Sequence, residues 1–171
     1  MAVAPEPVPE TVEALLDTTW RVTAAESART DALDRKAATL ATFASLVLSL
    51  SATLGGRFVS GHQAAWVFAL FALGLFFLVA AIALSVWVLL PKEHLMLGVA
   101  YLDGFTKLPE TVKPRVQVQG ETMAGLVAAI ALERRGNRGK ARGVRWAFVS
   151  LLAGLAISAA GAAIVTADLV L

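Results

Sequence analysis

The chain has 171 residues, of which 57% are hydrophobic and only 16% are charged. Soluble domains usually carry about a quarter charged residues, so this composition indicates a membrane protein rather than a soluble one. The chain contains no cysteine, which excludes disulfides and thiolate metal sites. Its formal charge of +2 is too small to suggest a nucleic-acid-binding protein.

The amino-terminal segment, residues 1–36, predicts a disordered start followed by one long cytoplasmic helix. Residues 1–9 are rich in proline, which is typical of disorder, whereas Thr11 to Lys36 contain no proline or glycine. Val12, Leu15, Leu16 and Trp20 give this helix a modest apolar face. Because residues 1–36 hold seven acidic and four basic side chains, they do not resemble a signal peptide. The helix is therefore expected to run into a retained membrane anchor.

Three apolar segments predict transmembrane helices at residues 37–57, 64–90 and 146–168. A helix needs roughly 20 apolar residues to cross a bilayer. The middle segment is the clearest, with 27 uncharged residues from Ala64 to Leu90. The first is the weakest, because six of the 18 residues from Ala37 to Leu54 are Ser or Thr. Their hydroxyls can bond back to the carbonyl one turn earlier, so they do not prevent crossing.

Small residues recur every four positions in the first and third apolar segments. The stripes are Ala41, Ser45, Ser49 and Thr53, and Gly154, Ser158 and Ala162. Such stripes let helices approach closely. Two interpretations remain open, namely packing inside one bundle and packing between protomers.

Basic residues predict the orientation, because cytoplasmic loops are enriched in Lys and Arg. The segment from Pro91 to Arg145 holds ten of them, whereas the connection between the first two apolar segments holds only Arg57. Arg35 and Lys36 stand directly before the first span. We therefore expect a multi-pass protein of the bacterial plasma (inner) membrane, with a cytoplasmic amino terminus and residues 91–145 on the same side.

Residues 91–145 predict a cytoplasmic loop followed by a helix. Pro91 is expected to end the second span, and Gly104, Pro109, Pro114 and Gly120 to break the next stretch into loops or short helices. A helix at about Gly120 to Arg135 has an apolar stripe that could pack on the amino-terminal helix. The stripe consists of Met123, Leu126, Val127 and Ile130. The predicted fold is thus all-α, a three-transmembrane-helix bundle with a long amino-terminal cytoplasmic helix and a small helical cytoplasmic cap.

No residue pattern predicts catalysis, a metal site or a bound cofactor, so the protein is not expected to be an enzyme. The most informative polar feature is a basic run just before the third span. It comprises Arg134, Arg135, Arg138, Lys140, Arg142 and Arg145. One interpretation is attraction to anionic lipid, and a second is that some of these arginines hold a phosphate. Nucleic-acid binding is disfavoured because no aromatic residues are interleaved with the bases.

Two stretches of the chain resemble a known family. They are ARTDALDRKAATLATFASLVLSLSATL, which contains the step Asp34-Arg35-Lys36-Ala37, and ETMAGLVAAIALERRGNRGKARGVRW. Both look like the three-helix membrane effectors of bacterial cyclic-pyrimidine antiphage systems, the Pycsar transmembrane effectors. The chain also resembles the related SLATT-type membrane modules and actinobacterial plasmid-transfer membrane proteins. In the effector pattern a cytoplasmic helix enters a small-residue span, and a basic turn precedes the third span.

This resemblance implies a membrane effector activated by a cyclic nucleotide, a cyclic pyrimidine by preference, that impairs membrane integrity through oligomerisation or repacking. Its partners would be the lipid bilayer, the nucleotide and further copies of the chain. The candidate ligand-binding residues are Arg134, Arg135, Arg138, Lys140 and Lys36. The alternative is a structural or plasmid-transfer membrane protein that assembles with partners and binds no nucleotide.

Overall fold

The computed structural model of the protein describes residues 9–58, 65–90 and 115–170. Within these ranges the regular structure is entirely α-helical: α1 is Pro9–Phe58, α2 is Ala65–Leu89 and α3 is Arg115–Val170. Each helix is long and apolar enough to cross a membrane. The predicted all-α fold with three membrane-spanning helices is thus confirmed. Of residues 1–9, which were predicted to be disordered, only Pro9 is described, and it is the first residue of α1. Residues 1–8 and the predicted breaks at Pro91, Gly104, Pro109 and Pro114 lie outside the described residues.

Helix α1 runs without interruption from the amino-terminal segment into the first apolar segment, as the sequence predicts. Four hydroxyl groups of that segment, those of Thr39, Thr42, Ser45 and Thr53, donate to carbonyl oxygens one turn earlier in the helix. Thr42 and Ser45 donate to the carbonyl oxygens of Ala38 and Ala41, at 3.0 and 2.8 Å. Back-bonding of this kind gives these Ser and Thr hydroxyls a hydrogen-bond partner inside an apolar helix.

Helix α3 is also continuous, over 56 residues, and this corrects two expectations. The predicted break at Gly120 is wrong, and so is the basic turn before the third span that the resemblance implied, because both lie inside α3. A glycine destabilises a helix by about 1 kcal/mol relative to alanine, which packing can offset. Here Lys140 of the basic run and the neighbouring Asn137 are buried and hydrogen-bonded to α1.

The chain forms two compact units. The first contains α1 up to Asp31 and α3 up to Arg138, and the second contains α1 from Ala32, all of α2, and α3 from Gly139. The second unit therefore holds all three apolar segments.

In the second unit, buried residues recur every seven positions on each helix. They are Ala37, Ala44 and Ser51 on α1; Val67, Gly74, Ala81 and Val88, with Leu78 and Ser85, on α2; and Lys140, Ala147, Gly154 and Gly161, with Leu151 and Ser158, on α3. A seven-residue repeat corresponds to 3.5 residues per turn and is typical of left-handed helix packing. The three apolar segments therefore pack like a coiled coil around Ala44, Leu78, Ala81 and Leu151.

The two small-residue stripes differ in their surroundings. In α3, Gly154 and Ser158 pack against Gly74 of α2, and a Cβ atom at Gly74 would lie 2.6 Å from Ser158 Oγ. This stripe thus packs inside the bundle. In α1, Ser45, Ser49 and Thr53 are exposed, because the seven-residue repeat buries Ala44 and Ser51 instead.

The first unit pairs α1 with α3 through fewer apolar side chains than the sequence predicts. Leu126 and Ile130 of the predicted stripe are buried, as is Val12 on α1. Val127 and Trp20 are 55% and 50% exposed, and Leu15 is also exposed. Polar contacts of α1 with α3 add to this pairing.

Candidate functional site

A buried polar cluster joins α1 and α3 in the first unit. Glu26 is buried, and its carboxylate oxygen Oε1 accepts a 2.8 Å hydrogen bond from Nε of Arg134. Asn137, also buried, donates from Nδ2 to Oε2 and to the backbone oxygen of Glu26, both at 3.4 Å. Thr30 Oγ1 donates to Asn137 Oδ1 at 2.9 Å. Buried polar groups are costly without partners, so this cluster fixes one register between the two helices of the unit.

The charge state of Glu26 follows from these contacts. The hydrogen bond from Arg134 lowers the pKa of the Glu26 carboxyl below its ordinary value of 4.5. Burial opposes this shift, whereas the Asn137 amide and the positive charges of Arg134 and Arg29 reinforce it. Glu26 is thus an anion at neutral pH, and the cluster is an ion pair held in place by two neutral side chains.

A cavity of about 480 Å³ shares Arg134 with this cluster. We call it the arginine cavity; its lining includes Thr18, Thr19, Val22, Val127, Arg134 and Arg138. Arg138 Nε donates to the backbone oxygen of Arg134 at 3.4 Å, which positions the Arg138 guanidinium over the preceding turn of α3. The volume lies within the range of small-molecule sites. Two guanidinium groups beside hydroxyl and apolar groups are suited to an organic anion.

The second unit contains a buried lysine. The side chain of Lys140 is 5% exposed, and its Nζ donates to both carboxylate oxygens of Asp34, at 2.7 and 2.8 Å. Three residues further along α1, Ala37 is fully buried. Within the Asp34-Arg35-Lys36-Ala37 sequence, Asp34 is therefore the counter-ion of a buried lysine. Ala37 is a small residue that is fully buried in the helix packing.

A second cavity, of about 610 Å³, lies between α1 and α3 of the second unit. We call it the entry groove. Its lining includes the cations Arg35, Lys36 and Arg145 and the apolar residues Leu40, Val144 and Phe148.

The five predicted ligand-binding residues lie in different surroundings. Arg134 and Arg138 line the arginine cavity, and Lys36 lines the entry groove. Lys140 is buried against Asp34, whereas Arg135 is exposed and lines neither cavity. Among the described residues, no group of three or more His, Cys, Asp or Glu side chains is placed to hold a metal ion.

Sequence reasoning missed Glu26, Asn137 and Asp34 as partners of the basic run. A periodic signal was present: Ile130, Asn137 and Val144 are spaced by seven residues on α3, as are Lys140 and Ala147. A polar residue at such an apolar-repeat position calls for a polar partner on the facing helix. The acids of α1 are the obvious candidates.

The chain is similar to a known protein family. Residues 18–167, most of the chain, match the Pycsar effector protein domain. No curated protein and no solved structure matches. The matched range includes Glu26, the arginine cavity, the Asp34–Lys140 pair and all three apolar segments. The chain therefore belongs to the Pycsar effector family, a family of membrane effectors from cyclic-nucleotide antiphage systems.

Proposed function

We propose that a cyclic nucleotide, a cyclic pyrimidine by family resemblance, binds the arginine cavity on the cytoplasmic side and that the bound protein impairs the membrane through oligomerisation or repacking of its spans. The observation that supports this proposal best is the cavity itself. It brings together Arg134 and Arg138, two of the residues expected to meet a phosphate, with Thr18 and Thr19 on the facing helix.

The charges of the cavity suit an anionic phosphodiester. The charge of Arg134 is balanced by its ion pair with Glu26. Arg138 therefore supplies the net positive charge among Glu26, Arg134 and Arg138. The side chain of Arg134 remains 54% exposed while it holds Glu26. In the proposal, Arg138 binds the phosphate directly, and Arg134 binds it while sharing Glu26. Guanidinium groups pair with phosphate oxygens through two parallel hydrogen bonds, which fixes the orientation of the ligand.

The remaining walls of the cavity suit a nucleoside. Thr18 and Thr19 donate their hydroxyl protons to the backbone oxygens of Ala14 and Leu15, both at 2.8 Å. Their oxygens are therefore left to accept hydrogen bonds from a base or ribose. Val22 and Val127 supply apolar contacts for the ring. In this proposal Arg135, Lys140 and Lys36 make no direct ligand contact.

Activation would pass through the Glu26 cluster. A phosphate that shares Arg134 with Glu26 weakens the hold of Arg134 on this buried carboxylate, which is unfavourable for the resting arrangement. The α1–α3 pairing of the first unit would then change, and the spans joined to these helices would repack. The ligand can drive this change only by binding the rearranged state more tightly than the resting state.

Calorimetry of the detergent-purified protein against cyclic pyrimidine and purine nucleotides tests this function. Arg138→Gln removes the main phosphate contact, and a charge-assisted hydrogen bond contributes about 1.5–3 kcal/mol, so affinity should fall by about ten-fold or more. Arg135→Gln is the matched control, because it removes an exposed neighbouring arginine outside the cavity; its affinity should stay within about two-fold of wild type.

Three results would contradict the proposal. Absence of binding heat with every nucleotide up to about millimolar concentration would favour the alternative of a structural or plasmid-transfer protein. Equal loss of affinity in the two variants would mean that the basic run acts through its total charge. Unchanged affinity in Arg138→Gln, with wild-type thermal stability, would place the nucleotide elsewhere.

A further inference from the structure

The lining of the entry groove combines three cations with apolar side chains, which we call its apolar floor. Arg35, Lys36 and Arg145 line it together with Leu40, Val144 and Phe148. All three cations are exposed, and no ion pair joins them to a carboxylate within the described ranges. The cations are therefore available to an external anion.

The groove lies where two spans begin. Lys36 is the last charged residue before the uncharged stretch Ala37–Gly56, and Arg145 is the last before Trp146–Ala167. Leu40 and Phe148 lie one turn further into these stretches and also line the groove. On each helix a cation of the lining is thus followed, one turn later, by an apolar lining residue, as the headgroup is followed by the acyl chain in a bilayer leaflet.

We propose that the entry groove is a binding site for one anionic phospholipid. Arg35, Lys36 and Arg145 hold the phosphate, while the first part of an acyl chain lies along Leu40, Val144 and Phe148. A soluble phosphate would satisfy the cations but would leave the apolar floor unfilled, which is why the occupant is a lipid. This inference does not depend on nucleotide binding, since the groove and the arginine cavity share no residue.

A lipid in this groove contacts both α1 and α3 within the second unit. Its phosphate reduces the mutual repulsion of cations from the two helices, and its chain covers Phe148, which is 49% exposed. The bound lipid therefore stabilises the packing of the first and third spans. Membrane composition becomes a determinant of how easily these spans repack.

Native mass spectrometry of the full-length protein in detergent tests the site, with phosphatidylglycerol and phosphatidylcholine as the two probes. We expect phosphatidylglycerol to bind more tightly. Each base near the membrane surface contributes about five-fold in affinity, so Lys36→Gln with Arg145→Gln should weaken phosphatidylglycerol binding about thirty-fold. The control pair, Arg135→Gln with Arg142→Gln, removes the same charge from exposed arginines that do not line the groove and should weaken binding much less.

Phe148→Ala tests the apolar floor without altering charge. It should weaken phosphatidylglycerol binding several-fold, with a thermal melt confirming that the variant remains folded. Equal losses in the two charge-matched pairs would overturn the proposal, because they would indicate non-specific attraction. Displacement of the lipid by millimolar inorganic phosphate, or unchanged affinity in Phe148→Ala, would also overturn it, since either result means that the groove binds a soluble anion.

Discussion

Removing Asp34 should destabilise the protein far more than removing its partner Lys140. Asp34→Ala leaves the Lys140 ammonium, on a side chain only 5% exposed, without a counter-ion. Lys140→Met removes the ammonium, keeps an unbranched side chain of similar length and leaves Asp34, which is 34% exposed, in contact with water. A buried charge without a partner is costly, whereas an apolar replacement is often neutral.

The expected loss of stability in Asp34→Ala follows from the burial of the Asp34–Lys140 ion pair. Breaking a fully buried ion pair costs about 3–5 kcal/mol. Asp34 is partly exposed, so water reaches the pair from its side. Asp34→Ala should therefore lower the free energy of unfolding by less, about 2–3 kcal/mol. In a protein of this size each kcal/mol shifts Tm by about 2–4 °C, which gives a decrease of about 4–12 °C. Lys140→Met should change Tm by about 2 °C or less, and the double variant should recover most of the loss.

Thermal melts in detergent, followed by intrinsic tryptophan fluorescence, measure these shifts. The four tryptophans of the chain provide the signal. Equal losses in the two single variants, with no recovery in the double variant, would refute the reasoning. That pattern would mean that the attraction between the charges, rather than the burial of an unpaired lysine, determines the stability.

Three further predictions concern the glycines of α3, the charge of Glu26 and the membrane orientation. Gly136→Ala, where an added Cβ meets no atom within 4 Å, should raise Tm slightly, whereas Gly143→Ala should lower it because its Cβ would collide with Val88 and Trp87 on α2. The stabilisation from ionised Glu26 should be fully present above pH 4.5 and lost as pH falls below that value, since its folded pKa is lowered; Glu26→Gln should remove this acid dependence from the melts. For the proposed orientation, a periplasm-active reporter should be active when fused after Gly61 and inactive near Lys107, and the reverse pattern would refute a cytoplasmic amino terminus.

The spans could be predicted from sequence because the bilayer imposes a simple requirement on each of them. A run such as Ala64–Leu90 must be helical wherever it crosses, since hydrocarbon offers its backbone no other partner. The chain between the second and third spans lacks this constraint. The family resemblance implied a turn in the basic run, where three glycines occur, yet α3 stays helical because packing and hydrogen bonds to α1 outweigh their low helix propensity.

The candidate site could be predicted only in part. The abundance of arginine in the basic run indicated phosphate chemistry, and two of those arginines do line a cavity. The sequence did not indicate that Lys140 would be buried, because burial depends on which face of α3 meets α1. That face is set by the seven-residue repeat, which also pairs Asn137 with Thr30 and Glu26. Partners more than 100 residues apart in sequence leave no local signal.

The central claim, that nucleotide binding at the arginine cavity opens the membrane, is tested most directly by dye release from proteoliposomes. The full-length protein is reconstituted in vesicles containing phosphatidylglycerol, and cyclic pyrimidine nucleotide is added to the face that carries the amino terminus. Wild type and Arg135→Gln should release the dye rapidly, and Arg138→Gln should release it only at about ten-fold or higher nucleotide concentration. Nucleotide binding without release, or release that is identical in all three proteins and independent of nucleotide, would contradict it.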